Sequence, residues 1–209
     1  MRYLRPSSEA EMIAELLQQE YASRDRYGAH IDACLREEDL QASLIEHPDR
    51  SDESENHARR RLLCRYRGYG SGQPSYFTDF PTEGVDWRRV ALTPDELLDT
   101  RYIRYEFWTQ LSGGTRLPRV AAARIRANDG IVNTGDAVSR GALLALAERL
   151  REGLRVPPLI LVSADGGATR VVLEGHARLT AYALAPETLP QEIEVMLGSS
   201  PAIARWDEY

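Results

Sequence analysis

The sequence predicts an α/β fold, a small mixed sheet with helices, preceded by a helical N-terminal extension. Three observations predict it. Short apolar runs at residues 159–162, 170–173 and 193–197 have strand length and are bounded by Pro, Gly and acidic turn residues. Helix-period patterns alternate with those runs: Leu143, Leu146, Ala147 and Leu150, then residues 177–185. The first 75 residues carry amphipathic helical patterns.

Along the chain, Ser8-x-x-Glu11 reads as a capping box ahead of Met12, Ile13, Leu16, Leu17 and Tyr21. A second helix is expected over about residues 27–45, with Ile31, Leu35 and Leu44 inward, and a third over about 53–64. The polar, acidic stretch 46–56, with Pro48, reads as a loop. These helices must pack on one another or on the C-terminal part, because isolated amphipathic helices are marginal. Arg59-Arg60-Arg61 and Arg65-Tyr66-Arg67 have two readings: a surface that grips phosphate or stacks on a base, or a solvated helix face. Composition favours the second, with a Gly-rich loop from Gly68 to follow. Gly68-Tyr69-Gly70-Ser71-Gly72 lacks the flanking strand and helix of a dinucleotide fingerprint.

Residues 76–118 form an aromatic-rich connecting segment. Phe77, Phe80, Trp87, Tyr102, Tyr105, Phe107 and Trp108 could make a base-stacking pocket, but a core joining two parts is favoured. Thr93-Pro94-Asp95-Glu96 is a helix start with cap, N1 proline and first-turn acids. Residues 121–126 are expected as a strand and 128–136 as a loop. A helix then runs to Gly153. Pro157-Pro158 opens the next strand, and Asp165-Gly166-Gly167 turns it into a hairpin. The tail from Pro201 reads as a short capped helix with Trp206 packed back.

The chemistry concentrates at Glu174-Gly175-His176-Ala177-Arg178-Leu179-Thr180. A strand ends at an acid and a glycine, and a helix begins there with His and Arg in its first turn. The glycine permits a tight turn and close approach of a ligand. The first N–H groups of a helix have no internal partner, and its dipole favours an anion. His176 and Arg178 add side-chain donors, and the planar guanidinium fork suits phosphate oxygens. Glu174 does not suit anion binding and points to a metal ligand or a proton acceptor.

The block from the helix ending at Gly153, through the hairpin and this junction, to the strand at Ile193 resembles the ParB/sulfiredoxin-like superfamily over roughly residues 120–198. Sulfiredoxins need a cysteine after the junction glycine, where this chain has His176; Cys34 and Cys64 lie far upstream. ParB proteins carry Glu-Arg-Arg after the glycine and a DNA-reading domain beyond, and only a short tail follows Gly198. Glu174-Gly175-His176-Ala177-Arg178 is most similar to the acid-Gly-His-x-Arg arrangement of free serine kinase-type members. The resemblance implies an ATP- or ADP-dependent phosphotransferase acting on a small hydroxylated molecule. Gly175, His176, Ala177, Arg178 and Thr180 would bind the nucleotide. Mg²⁺ would bridge phosphate oxygens, and Glu174 would be its ligand. Glu174, His176 and Asp136 would serve catalysis, with Asp129 a second candidate acid; a turn or cap role is the stronger reading for each aspartate. The alternative is a nucleotide-bound switch or adaptor that docks a partner through the N-terminal helices without turnover.

Composition sets bounds. At 209 residues the chain can bury a proper core. A formal net charge of −6 argues against broad binding to a nucleic-acid backbone. Two cysteines without metal spacing suit a reducing compartment. Neither a signal peptide nor a bilayer-spanning stretch is evident, so a cytoplasmic location is expected. Of the four histidines, His30, His47 and His57 lack chemical context, and no zinc spacing occurs. The expected organisation is residues 1–75, 76–118 and 119–209.

Overall fold

Arg2–Pro6 forms β1, an edge strand. Ser8 then caps α1 (Glu9–Ala22), its hydroxyl accepting from the Glu11 N–H at 3.1 Å. The capping box is only half made, because the Glu11 carboxylate turns away to Arg5, Ser7 and Arg89. The computed structural model of the chain describes residues 1–128 and 138–209.

A single π-helical turn, Arg24–Gly28, follows α1 and leads into α2 (Ala29–Glu37). The helix expected to reach residue 45 stops early. Asp39 takes a left-handed conformation (φ 53°), and Leu40 N–H bonds back to Leu35 O at 2.8 Å, a helix-ending geometry. Only a short α3 (Ser43–Glu46) follows. Asp52 caps α4 (Glu53–Arg67), and Gly68 ends it in the left-handed region.

Next come β2 (Asp86–Leu92), α5 (Pro94–Leu98), α6 (Glu106–Leu111) and α7 (Pro118–Ala127). Thr93 and Glu96 complete a full capping box at α5. The strand expected at 121–126 is helix α7. Pro118 sits in its first turn, alanines fill it, arginines occupy its last turn, and Asn128 closes it with φ 55°. Alanine's helix preference and a buried Ala121, Ala122 and Ile125 stripe decide the matter.

Helix α8 (Arg140–Arg151) precedes β3 (Ile160–Ser163), β4 (Val171–Glu174), α9 (His176–Leu184) and β5 (Ile193–Ser199). A 3₁₀ turn, Pro201–Arg205, ends the chain's regular structure. The hairpin forms as expected. Ser163 Oγ accepts from Gly167 N–H at 2.7 Å, and Asp165 Oδ1 from Thr169 N–H at 2.8 Å.

The five strands make one mixed sheet in the order β1-β2-β5-β3-β4. Strand β5 pairs antiparallel with β2 and parallel with β3, Ile160 lying opposite Met196. The α/β fold class is therefore as the sequence indicates. Strand β2 was not foreseen. Arg88 and Arg89 interrupt its apolar run, yet Arg89 is buried against Glu11 and Glu15 of α1. Helices α7 and α8 pack on α9, which holds the strand–helix junction between β4 and the rest of the body. No helix among the described residues is long and apolar enough to cross a membrane.

Candidate functional site

The β4–α9 junction has the predicted geometry. Gly175 occupies φ 109°, ψ 24°, and a β-carbon there would run into Leu159 Cδ2 and lie 3.0 Å from Arg178 Nη2. Only glycine fits both the backbone and the space. No side chain caps α9. Its first-turn N–H groups therefore remain open at the wall of a cleft of about 1090 Å³, lined there by Glu174, Gly175, His176, Ala177 and Arg178.

The N-terminal helices line the same cleft and abut the junction through Gln19 and Arg178. Gln19 and Glu20 of α1, Arg26 and Tyr27 of the π turn, and Arg67 of α4 all line the cleft. Phe107 and Trp108 of α6 and Tyr105 just before it close another side. The residues read from sequence as an extension and a connecting segment thus build the site.

His176 packs its ring on Trp108, centroids 5.1 Å apart and planes 20° apart, and Trp108 stacks on Tyr102 at 5.0 Å. Part of the residue stays accessible, but Nε2 is sealed from solvent and has no hydrogen-bond partner. Burial pushes the His176 pKa down to about 3, with the charges of Arg178, Arg26 and Arg67 adding to it. The imidazole is neutral at pH 7.

Arg178 is more committed than expected. Its Nη1 donates to Pro157 O at 2.6 Å and Pro158 O at 3.1 Å, while Nη2 bonds Gln19 and lies 3.2 Å from Glu174 Oε1. Burial lowers its pKa, and Glu174 works against that. Arg178 thus staples the Pro157-Pro158 loop and α1 to the first turn of α9. Arg67 is likewise spent on buried Glu20, whose own pKa is raised by burial. Arg26 has no carboxylate partner among the described residues. Its guanidinium lies 5.0 Å from the Tyr27 ring centroid, and the side chain is exposed at the cleft.

Thr180 is fully buried and does not line the cleft. Its hydroxyl bonds the Tyr102 hydroxyl at 2.7 Å and donates to His176 O at 2.8 Å. One turn along α9, it faces the interior, so it supports the first turn from below and is corrected from a ligand contact to a brace. Asp136 and Asp129 lie outside the described residues.

Glu208, near the chain's end, also lines the cleft, and its Oε2 is buried without a partner. Sequence reasoning missed Glu208, Arg26 and Gln19. They stand 30 to 160 residues from the junction and carry no local motif. From sequence Trp108 reads as core and Arg67 as a solvated face; the fold places both in the cleft's lining. Among the described residues, no group of three or more His, Cys, Asp or Glu is placed to hold a metal by itself. Compared with known proteins, the chain matches no family model, no curated protein and no solved structure.

Proposed function

We propose that the chain is a nucleotide-binding protein of ParB/sulfiredoxin-like type and an ATP-dependent phosphotransferase acting on a small hydroxylated molecule. One observation carries this reading. An uncapped helix start, entered through a glycine whose φ of 109° strains any other residue, opens into a cleft that also holds Arg26, an arginine with no carboxylate partner among the described residues. Backbone N–H groups and a nearby cation are what a phosphate requires.

Arg26 supplies the mobile charge for the phosphates, and the N–H groups of His176 and Ala177 supply fixed donors. Neutral His176, its ring packed on Trp108, adds no charge that would compete with Arg26. Arg178 keeps the loop and the helix start in register. Mg²⁺ bound to a nucleotide keeps several waters and needs one or two carboxylates, a demand that Glu174 fits without a metal cluster. When bound, that ion would neutralise charge developing on the transferred phosphoryl group. Arg178 holds Glu174 by Oε1, which leaves Oε2 for one of two roles, to hold that ion or to take the acceptor's hydroxyl proton.

Calorimetric titration with ATP, ADP, CTP and GTP, with and without Mg²⁺, tests this. Saturable binding of one nucleotide is expected, weakened on the order of tenfold in Arg26→Ala, since a hydrogen bond to a charged group contributes about 1.5–3 kcal/mol. Glu174→Gln should keep binding and lose turnover. Arg178→Ala is a poorer probe, because it also releases the Pro157-Pro158 loop. Binding with no transfer to any hydroxyl acceptor would favour a nucleotide-bound adaptor that docks a partner through the N-terminal helices. No binding at all would overturn the reading.

A further inference from the structure

Part of the cleft's lining is aromatic rather than polar. Tyr105 is 50% exposed, although large hydrophobic residues among the described positions are otherwise mostly covered. Phe107 is half-buried and packs edge-on against Trp108, ring centroids 4.8 Å apart. Trp108 in turn touches the His176 ring, so an aromatic wall runs from the helix start to the cleft's rim. An aromatic face left open on a cleft is a stacking platform for a flat ring.

Glu208 stands on the same side, held by a rigid tail. Its carbonyl accepts from Arg104 N–H at 3.0 Å and from Arg116 Nη2 at 3.4 Å. On one side of it Trp206 is buried and donates Nε1–H to Tyr76 O at 2.9 Å. On the other the Tyr209 hydroxyl accepts from Ala164 N–H at 3.1 Å. Glu208 therefore presents its buried, unpartnered Oε2 in a fixed place. A buried acceptor without a donor is costly, and a ligand that brings a donor removes that cost. The donor is not a cation. Burial pushes the Glu208 pKa up, with Asp207 adding to it, while Arg116, the Tyr105 backbone N–H and Arg104 pull the other way; the two guanidiniums oppose a further positive charge beside them. A neutral N–H on a flat ring satisfies both the platform and the acceptor.

We propose that Tyr105, Phe107 and Glu208 form a nucleobase subsite, in which Glu208 Oε2 accepts a hydrogen bond from the exocyclic amino group of an amino-bearing base such as adenine. This rests on the nucleotide reading above and adds to it the part of the nucleotide that is read. The base stacks on the Tyr105 and Phe107 rings, and the phosphates run along the aromatic wall to the start of α9. A base with a carbonyl in place of the amino group meets Glu208 lone pair to lone pair.

The experiment is a calorimetric comparison of ATP with inosine triphosphate, which differ by that amino group, in the wild type, Glu208→Gln and Tyr105→Ala. The wild type should bind ATP tighter by on the order of tenfold, as expected when a hydrogen bond to a charged group is lost. Glu208→Gln should lose most of that preference, because its amide can turn a donor toward the carbonyl. Tyr105→Ala should weaken both ligands by the same factor. Equal binding of the two by the wild type overturns the subsite while leaving the nucleotide reading intact. So does a Glu208→Gln chain that weakens both ligands alike, which would mean that Oε2 serves a sugar hydroxyl. If neither ligand binds, both readings fall.

Discussion

At the scale of single residues, His176 is the side chain whose environment differs most from what its neighbours in sequence indicate. Its place after Gly175 suggests an exposed donor. In the fold it is pressed on Trp108 with Nε2 sealed, and three arginines raise the potential around it. The consequence is a pH dependence. The folded-state pKa is about 3 against an ordinary 6.5, so below pH 6.5 the unfolded chain binds a proton that the folded chain refuses. Stability from this group is fully present above pH 6.5 and is lost as pH falls toward 3, by up to about 1.4 kcal/mol per pH unit. Glu11, held near 2 chiefly by Arg5 and also by Ser7 and Arg89, gives a slope of the same sign but only below its ordinary 4.5. Urea unfolding between pH 6.5 and 5 lies above Glu11, and a His176 variant separates the histidine from Glu20 and Glu208, whose raised pKa values act with the opposite sign. His176→Phe, which keeps a ring against Trp108, should flatten the wild-type decline over that range. An unchanged slope would mean that the nitrogen is solvated.

At the scale of elements, local rules worked where the decisive contacts are local. Ser8, Asp52, Thr93 and Gly68 set helix ends by chemistry within four residues, and the Asp165-Gly166-Gly167 hairpin closes on its own side chains. The junction at Gly175 was legible for the same reason. Pattern reading failed where a distant partner decides. Strand β2 hides two arginines in its run, and one is buried only because α1 brings Glu11 and Glu15 to it. Helix α4 shows the same effect at Arg59, which a sequence reader takes for a solvated face. Arg59 is fully buried. It donates to Leu44 O at 3.2 Å, Asp49 O and Asn56 Oδ1 at 2.7 Å, and Glu55 Oε2 at 2.8 Å. It ties α3 and the loop after it to α4. Arg59→Met keeps the volume and removes the donor from the Leu44 and Asp49 carbonyls and from Asn56 Oδ1, while Glu55 keeps water and the Asp49 N–H. Chemical denaturation should show a loss of about 3 kcal/mol or more. A loss under about 1 kcal/mol would return Arg59 to the surface role that its sequence suggests.

At the scale of the whole molecule, the three expected segments do not separate in space. Strand β1 comes from residues 1–75, β2 from 76–118, and the other three strands from 119–209, all in one sheet. The central strand β5 has β2 on one side and β3 on the other, so the last segment's sheet is incomplete without the middle one. All 26 of the chain's Lys and Arg residues are arginine; no lysine occurs. That composition suits the architecture, since guanidinium forks reach several acceptors at once and bridge segments far apart in sequence. Arg178 joins α9 to α1, Arg67 joins α4 to α1, Arg89 joins the sheet to α1, and Arg116 joins the Tyr102 loop to the tail.

These cross-links bear on how the chain unfolds. If residues 1–75 were a separable extension, their helices would melt independently of the sheet. Here their removal would take two of the three carboxylates near Arg89, uncover the sheet face that α1 protects, leave Arg178 without Gln19 and strip part of the lining from the cleft. Exposing apolar surface costs about 25 cal/mol per Å², and a domain's whole stability is only about 5–15 kcal/mol. The chain should therefore unfold in one step. Far-UV circular dichroism follows the helices, many of which lie in the first 75 residues. Fluorescence follows Trp87, Trp108 and Trp206, all of which lie beyond them. The two urea transitions should coincide in midpoint and slope, and a fragment of residues 119–209 should be unfolded. Two separated transitions, with ellipticity lost first, would mean that the N-terminal helices move as a unit over the cleft. Access to the site would then be governed by their opening rather than by a fixed wall.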